Sequence, residues 1–178
     1  MAREHGGIRL WLPSWTKVRS RLSIITLAVS LGGVAYAPTR ASAKDAAPAP
    51  ALRWVTSESE ALRLAAERAQ PVLIDFWADW CAACDALDRL VWSDQQVREA
   101  ARHFIAVRLD GSLSSASARD GRFDRAADRY RVLGLPTVIL TDARGRVLDH
   151  IIGVVSADEM VRRLQAAERS CTAVMACR

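Results

Sequence analysis

Residues 71–78, PVLIDFWA, form a nearly continuous apolar run of strand length, rich in bulky and β-branched side chains. Such a run needs cover on both faces, which predicts a central strand of a mostly parallel sheet. Asp75 stands inside it, where a charged residue is unexpected. Just beyond, Cys81-Ala82-Ala83-Cys84 opens a helical pattern over residues 81–90. The rest of the chain supplies the covering layers. Ser57-Glu58-Ser59-Glu60 reads as a capping box for a helix with Ala61, Leu62, Leu64 and Ala65 on its apolar face, ending near Gln70-Pro71. Ser93-Asp94 starts a short helix through Val97 and Ala101, and residues 104–109 alternate like a strand. Residues 111–119 are Ser/Ala-rich and predict a loop; residues 123–131 predict a helix. Residues 137–141 and 147–152 predict two strands joined by the hairpin signal Asp142-Ala143-Arg144-Gly145. Ser156 caps a last helix with Met160, Val161 and Leu164 inward. The order α, β, α, α, β, α, β, β, α predicts an α/β fold with a mixed central sheet flanked by helices.

The first 43 residues read differently. Arg3, Arg9, Lys17, Arg19 and Arg21 precede the apolar run of residues 22–37, and Ala41-Ser42-Ala43 offers a small-x-small cleavage pattern. That is the layout of a secretory signal peptide. Ala35-Tyr36-Ala37 is a second cleavage candidate, disfavoured by Pro38. The alternative is an uncleaved anchor, but the run is shorter than the ~20 residues of a spanning helix and contains Gly32-Gly33. The expected plan is a signal peptide over 1–43, an Ala/Pro-rich linker over 44–51, a domain over 52–169 and a Cys-containing tail over 170–178. Of the 25 basic and 20 acidic residues, six and one fall in residues 1–43, leaving nineteen of each. A neutral mature chain gives no electrostatic case for nucleic acid or an anionic membrane surface. All four cysteines, Cys81, Cys84, Cys171 and Cys177, lie beyond the signal, and export favours oxidised pairs.

Cys81 falls where a strand ends and a helix begins. Residues i and i+3 lie on one side of a helical turn, so Cys81 and Cys84 can reach disulfide distance. Unpaired N–H groups at the helix start favour a thiolate at Cys81 and lower its pKa below the free value of ~8.5. Cys84, one turn in, should be the less exposed. Cys81 therefore attacks and Cys84 resolves the mixed disulfide. Asp75, six residues before Cys81, is expected to be buried with a raised pKa and to exchange a proton with Cys84 through a water; the other reading is an inert, hydrogen-bonded strand-edge residue. Asp88, four residues after Cys84, either adds negative potential at the thiols or is a solvated helix carboxylate. Leu135-Pro136-Thr137 begins a strand, and X–Pro statistics by themselves favour a trans bond there.

PVLIDFWADWCAAC, VLGLPTVIL, the hairpin and Gly153 together resemble the thioredoxin superfamily over residues 52–167. More narrowly, ADWCAAC and LDRLVWSDQQV resemble the C-terminal periplasmic thioredoxin-like domain of the thiol:disulfide interchange proteins (DsbD), though not the membrane or immunoglobulin-like domains of those proteins. The resemblance implies a thioredoxin fold, with Cys81 as nucleophile and Cys84 as its partner. It implies that Asp75 is the buried proton-handling acid and Asp88 a second acid near the thiols. Leu135-Pro136 becomes the substrate-facing step, with a cis bond that reverses the trans default, and Trp80 an exposed apolar contact. Two departures matter. Asp85 stands where a lysine is common in thioredoxin-like motifs, and Ala82-Ala83 supplies neither a proline nor a thiolate-stabilising histidine, which points to a reducing pair.

Two classes of function follow. One is an exported, periplasmic thiol–disulfide oxidoreductase, monomeric, without cofactor or metal, that reduces disulfides of envelope proteins and draws electrons from a membrane-embedded thiol donor. The other is a non-catalytic thioredoxin-like binding or chaperone module, with Cys81–Cys84 as a permanent staple. Cys171 and Cys177 stand ~9 Å apart along a continuous helix, too far to bridge, so a disulfide there needs a looped tail; a second redox pair, partner-linking thiols and a four-cysteine zinc site are the alternatives. His103 and His150 lack a ligand pattern, and Trp54 and Trp92 read as packing residues.

Overall fold

The computed structural model describes residues 48–173 and Cys177. The signal-peptide and cleavage-site expectations for residues 1–43 lie outside the described residues.

The apolar run becomes β1 (Val72–Trp77). It sits inside a four-stranded sheet of order β2-β1-β3-β4, formed with β2 (Ile105–Asp110), β3 (Thr137–Thr141) and β4 (Val147–Ile152). β1 pairs parallel with β2 and antiparallel with β3, and β3 pairs antiparallel with β4. The internal position of β1 was legible in its composition; its antiparallel neighbour was not, because two-faced burial looks alike in either pairing.

Alternation along the strands sorts the core into two layers. Val72, Ile74 and Phe76 face α1 (Glu58–Arg68) and α5 (Arg122–Tyr130), packing with Ala61, Ala65 and Tyr130. Leu73, Val138 and Leu140 face α3 (Gln95–Ala101) and α6 (Ala157–Ala173), packing with Val97, Met160 and Leu164. Each fully buried Leu, Ile or Phe contributes roughly 1.5–3 kcal/mol, so the sheet is held from both sides. Asp75 and Arg108 are register partners on the Leu73 face. The period of two that buries Leu73 therefore points two opposite charges at the same helical layer.

Four local readings need correction. Ser57 occupies the N-cap of α1, but its hydroxyl pairs with Ser59 at 2.9 Å rather than with the helix. Glu58 anchors that end instead, accepting from Tyr130 Oη at 2.7 Å and Arg129 Nη1 at 2.8 Å. The loop over 111–119 contains a short helix, α4 (Ala116–Arg119), whose Ala118 N–H donates to Ser115 Oγ. The helix over 81–90 is two pieces: α2 (Ala82–Leu87) and a π turn (Asp88–Trp92) in which Ser93 N–H reaches back to Asp88 O at 3.1 Å. The extra residue lets Leu87, Val91 and Trp92 all face the core. Finally, α6 runs through Ser170–Ala173, where no period was visible.

Asp94 caps α3, accepting from Gln96 and Val97 N–H, and Ser156 caps α6. The hairpin turn closes through Gly145, whose φ of 78° no β-branched residue would hold without strain. Cys171 and Cys177 form a disulfide with Cα atoms 5.5 Å apart, the staple alternative among those raised by the sequence. Each cysteine pair closes on itself, and the second lies beside Ala69-Gln70-Pro71 at the start of β1, whereas Cys81 follows its end. The four-cysteine zinc alternative needs the two pairs at one point, and they are not.

Candidate active site

Cys81 is the N-cap of α2, in extended backbone conformation. Its Sγ accepts the Cys84 N–H at 3.1 Å, and its carbonyl takes the N–H groups of Cys84 and Asp85. At the helix entrance the Cys84 N–H is thus shared between the Cys81 carbonyl and its sulfur. The pair is a disulfide with Cα atoms 5.2 Å apart. Cys81 is 7% exposed and Cys84 1%, the order the spacing predicts. Ala78, Trp77 and Leu135 pack around both sulfurs. The Leu135–Pro136 bond is cis, as the resemblance implies and against the trans default. Pro136 O accepts from Gly153 N–H at 2.9 Å, tying the start of β3 to the end of β4. Trp80, next to Cys81, is 65% exposed, and Leu113 and Leu133 are also exposed.

Asp75 is fully buried. Desolvation raises its pKa from about 3.8 to about 6, with the Arg108 charge and hydrogen bond opposing the rise. Its Oδ2 accepts from Arg108 Nε at 2.9 Å, with Nη2 at 2.8 Å. Its Oδ1 is buried with no hydrogen-bond partner among the described residues; the same holds for the Trp92 indole N–H, which lies near enough to favour the ionised carboxylate slightly without reaching bonding geometry. Asp88, a third exposed, is paired: Oδ2 accepts from Arg108 Nη1 at 3.1 Å and Oδ1 from Nη2. The guanidinium carbon lies 4.6 Å from the Trp54 ring centroid and 5.4 Å from that of Trp77. Trp54 and Trp92 also meet edge to face at 5.6 Å, so Trp54 packs as expected and covers the arginine as well.

The structure thus brings the predicted residues together in two groups. Cys81, Cys84 and Leu135 make one; Asp75 and Asp88 meet on Arg108 in the other. Arg108 was missed. The available signal was a lone cation in the apolar stretch FIAVRL, the counterpart of the lone acid in PVLIDFWA. Two cavities of about 350 and 580 Å³ are lined at the far end of β1 and β2, by residues such as Pro71 and Ile105; the smaller is also lined by Cys171 and Cys177, and neither is lined by Cys81 or Cys84. Among the described residues no group of His, Cys, Asp and Glu could hold a metal ion, and no helix is long and apolar enough to cross a membrane.

A family model described as a thioredoxin-like domain matches residues 58–168. The chain is 32% identical over 118 residues to the thiol:disulfide interchange protein DsbD of Ralstonia nicotianae, covering 65% of this chain and 18% of that protein. It is 31% identical over 137 residues to the DsbD of Salmonella paratyphi A, covering 75% and 23%. The chain therefore spans about a fifth of the length of these relatives. In structure it resembles DsbH oxidoreductase, with a TM-score of 0.61 at 21% identity, covering 68% of this chain and 88% of that one. It also resembles a thioredoxin from Thermus thermophilus, with a TM-score of 0.56 at 24% identity, covering 72% and 93%. The last two likenesses are likenesses of fold.

Proposed function

Because the chain belongs to the thioredoxin-like domain family, we propose that it is an exported, periplasmic thiol–disulfide oxidoreductase that reduces disulfides of envelope proteins through Cys81 and Cys84. The observation that carries this reading is the Cys84 N–H on Cys81 Sγ at a helix entrance, with Cys84 shielded behind it. A donor aimed at that sulfur favours the thiolate over the thiol and lowers the pKa of reduced Cys81. Location outside the cytoplasm is supported by the basic–apolar–small layout of residues 1–43 and by the periplasmic domain that the active-site segment resembles.

The cycle balances as follows. The Cys81 thiolate attacks one sulfur of a substrate disulfide; the S–S bond breaks and the other substrate sulfur leaves as a thiolate. Cys84 then loses its proton, with ionised Asp75 as the acceptor through a bridging water, and attacks Cys81 Sγ. The second substrate sulfur departs, the substrate has gained two electrons, and the protein holds the disulfide present in this structure. A membrane-embedded dithiol returns the two electrons. The exposed apolar side chain of Trp80, next to Cys81 in sequence, suits a polypeptide substrate.

Insulin reduction tests the reading. The wild-type protein with a dithiol donor is expected to reduce insulin, Cys81→Ser to be inactive, and Cys84→Ser to accumulate a mixed disulfide with substrate. Equal behaviour of wild type and Cys81→Ser would leave the staple-bearing binding module as the answer. Equilibration with glutathione gives the direction: a potential near or below about −230 mV fits a reductase, and one near −120 mV an oxidase.

A further inference from the structure

We propose that the cavity of about 580 Å³ at the outer edge of β2 binds a small amphipathic anion, a carboxylate or phosphate carried on an apolar body. This site goes beyond the oxidoreductase reading and is independent of it. The cavity arises where the chain enters the domain. Val55 pairs with the outer edge of β2, giving its N–H to Ala106 O at 2.9 Å and accepting the Arg108 N–H at 2.9 Å. Before Val55 the chain stands off the strand: residues 50–54 line the cavity on one side and Phe104, Ile105 and Ala106 on the other. Side chains of α1 and α3 complete the wall. The volume lies in the range of roughly 300–1,000 Å³ in which small-molecule sites fall.

The charge in the lining has one sign. Arg53, Arg68, Arg98 and Arg102 all line the cavity, and no Asp or Glu is among its described lining residues. The balance of acids and bases beyond residue 43 conceals this local excess. Arg102 is held by Glu99 at 2.8 Å; Arg53, Arg68 and Arg98 have no side-chain ion pair among the described residues. Arg98 is half-buried, and its Nε is sealed from solvent without a hydrogen-bond partner among the described residues. A buried guanidinium N–H without an acceptor is costly, and an anion seated among these arginines supplies one. Arg68 and Arg98 stand in the last turns of α1 and α3, where the helix dipole by itself favours a cation. That does not account for Arg53, which belongs to no helix, nor for three cations without counterions sharing one cavity. A cleft lined by one sign of charge concentrates counterions, and the planar arginine fork matches carboxylate and phosphate. Leu52, Trp54, Leu64 and Phe104 line the same space, so the ligand that fits has an apolar half as well as a charged one.

The test is titration calorimetry of the oxidised full chain with decanoate and with decyl phosphate, each below its micelle concentration. Saturable one-site binding of at least one of them is expected. 1-Decanol, which lacks the charge, and inorganic phosphate, which lacks the apolar body, are each expected to bind about tenfold more weakly or less. Arg98→Met is expected to weaken the anion roughly tenfold, the worth of one charge-assisted hydrogen bond. Arg53→Met and Arg68→Met change exposed side chains; each is expected to weaken it several-fold, and they carry the test if Arg98→Met does not fold. Amide NMR shifts on binding are expected at Ala101 and Ala106 and not at Cys81 or Cys84. Absence of saturable binding by both anions overturns the proposal. So does decanol binding as tight as decanoate, or unchanged affinity in the folded arginine variants. Capture of the protein by phosphatidylglycerol vesicles without binding of either free anion also overturns it, in favour of a membrane-facing patch.

Discussion

Replacing Asp75 with asparagine should make the folded protein more stable above neutral pH while leaving it little changed in acid. Burial raises the Asp75 pKa from about 3.8 to about 6. The folded state therefore holds that proton more tightly than the unfolded chain does. Below pH ~3.8 both states are protonated and the carboxyl costs nothing. As pH rises from about 4 to about 6 the unfolded chain releases the proton first, so stability falls; above that the loss is complete. The difference in proton affinity corresponds to roughly 3 kcal/mol. Asparagine does not ionise, so it lacks this fall; the pull of Arg108 on the carboxylate is already contained in the Asp75 pKa, and the hydrogen bonds of asparagine do not change with pH. The expected gain at pH 8 is about 2–3 kcal/mol relative to the difference at pH 4. Asp142 and Asp120 are held below the ordinary carboxylate range by backbone N–H groups and by Arg146 and Arg122. Their stabilisation is present above pH ~3.8 and is lost as pH falls below it, equally in both proteins, so the difference isolates Asp75. Urea unfolding of the oxidised proteins between pH 4 and 8, followed by tryptophan fluorescence, measures it. A wild-type minus variant difference that stays flat across that range refutes the argument.

Other consequences concern the ends of helices and the surface around the sulfurs. Ala69 closes α1 in the left-handed region at φ 52°; Ala69→Gly should raise stability by ~0.5 kcal/mol, the ~1–2 kcal/mol cost of a side chain there less the added entropy of the unfolded glycine, read as a higher Tm. Trp80→Ala should raise KM for insulin several-fold while leaving the rate with a small aromatic disulfide within twofold, since the exposed indole touches a polypeptide and not the reacting sulfurs. Replacing Cys171 and Cys177 together by serine should lower stability by about 2 kcal/mol, in line with the short loop they close, and leave insulin reduction unchanged.

What could be read from the chain was whatever depends on neighbours in sequence. The apolar run over 71–78 had to be an internal strand, because no stable arrangement leaves the five apolar side chains of VLIDFW wet. The spacing of Cys81 and Cys84 had to place one sulfur at a helix entrance and the other a turn inside, because the rise and pitch of a helix are fixed. Both hairpin strands followed from their turn signal. What stayed hidden needed distant partners. Ser57 looked like a cap, but Tyr130 and Arg129, some seventy residues away, chose Glu58 for the anchor. The π turn came from three side chains competing for one core. Asp75 announced itself as an anomaly, yet its pairing with Arg108 required the register of two strands thirty-three residues apart. Local periodicity fixes which face a side chain takes; only the packed sheet decides which opposite charge meets it there, as the β1–β2 register does for Asp75 and Arg108.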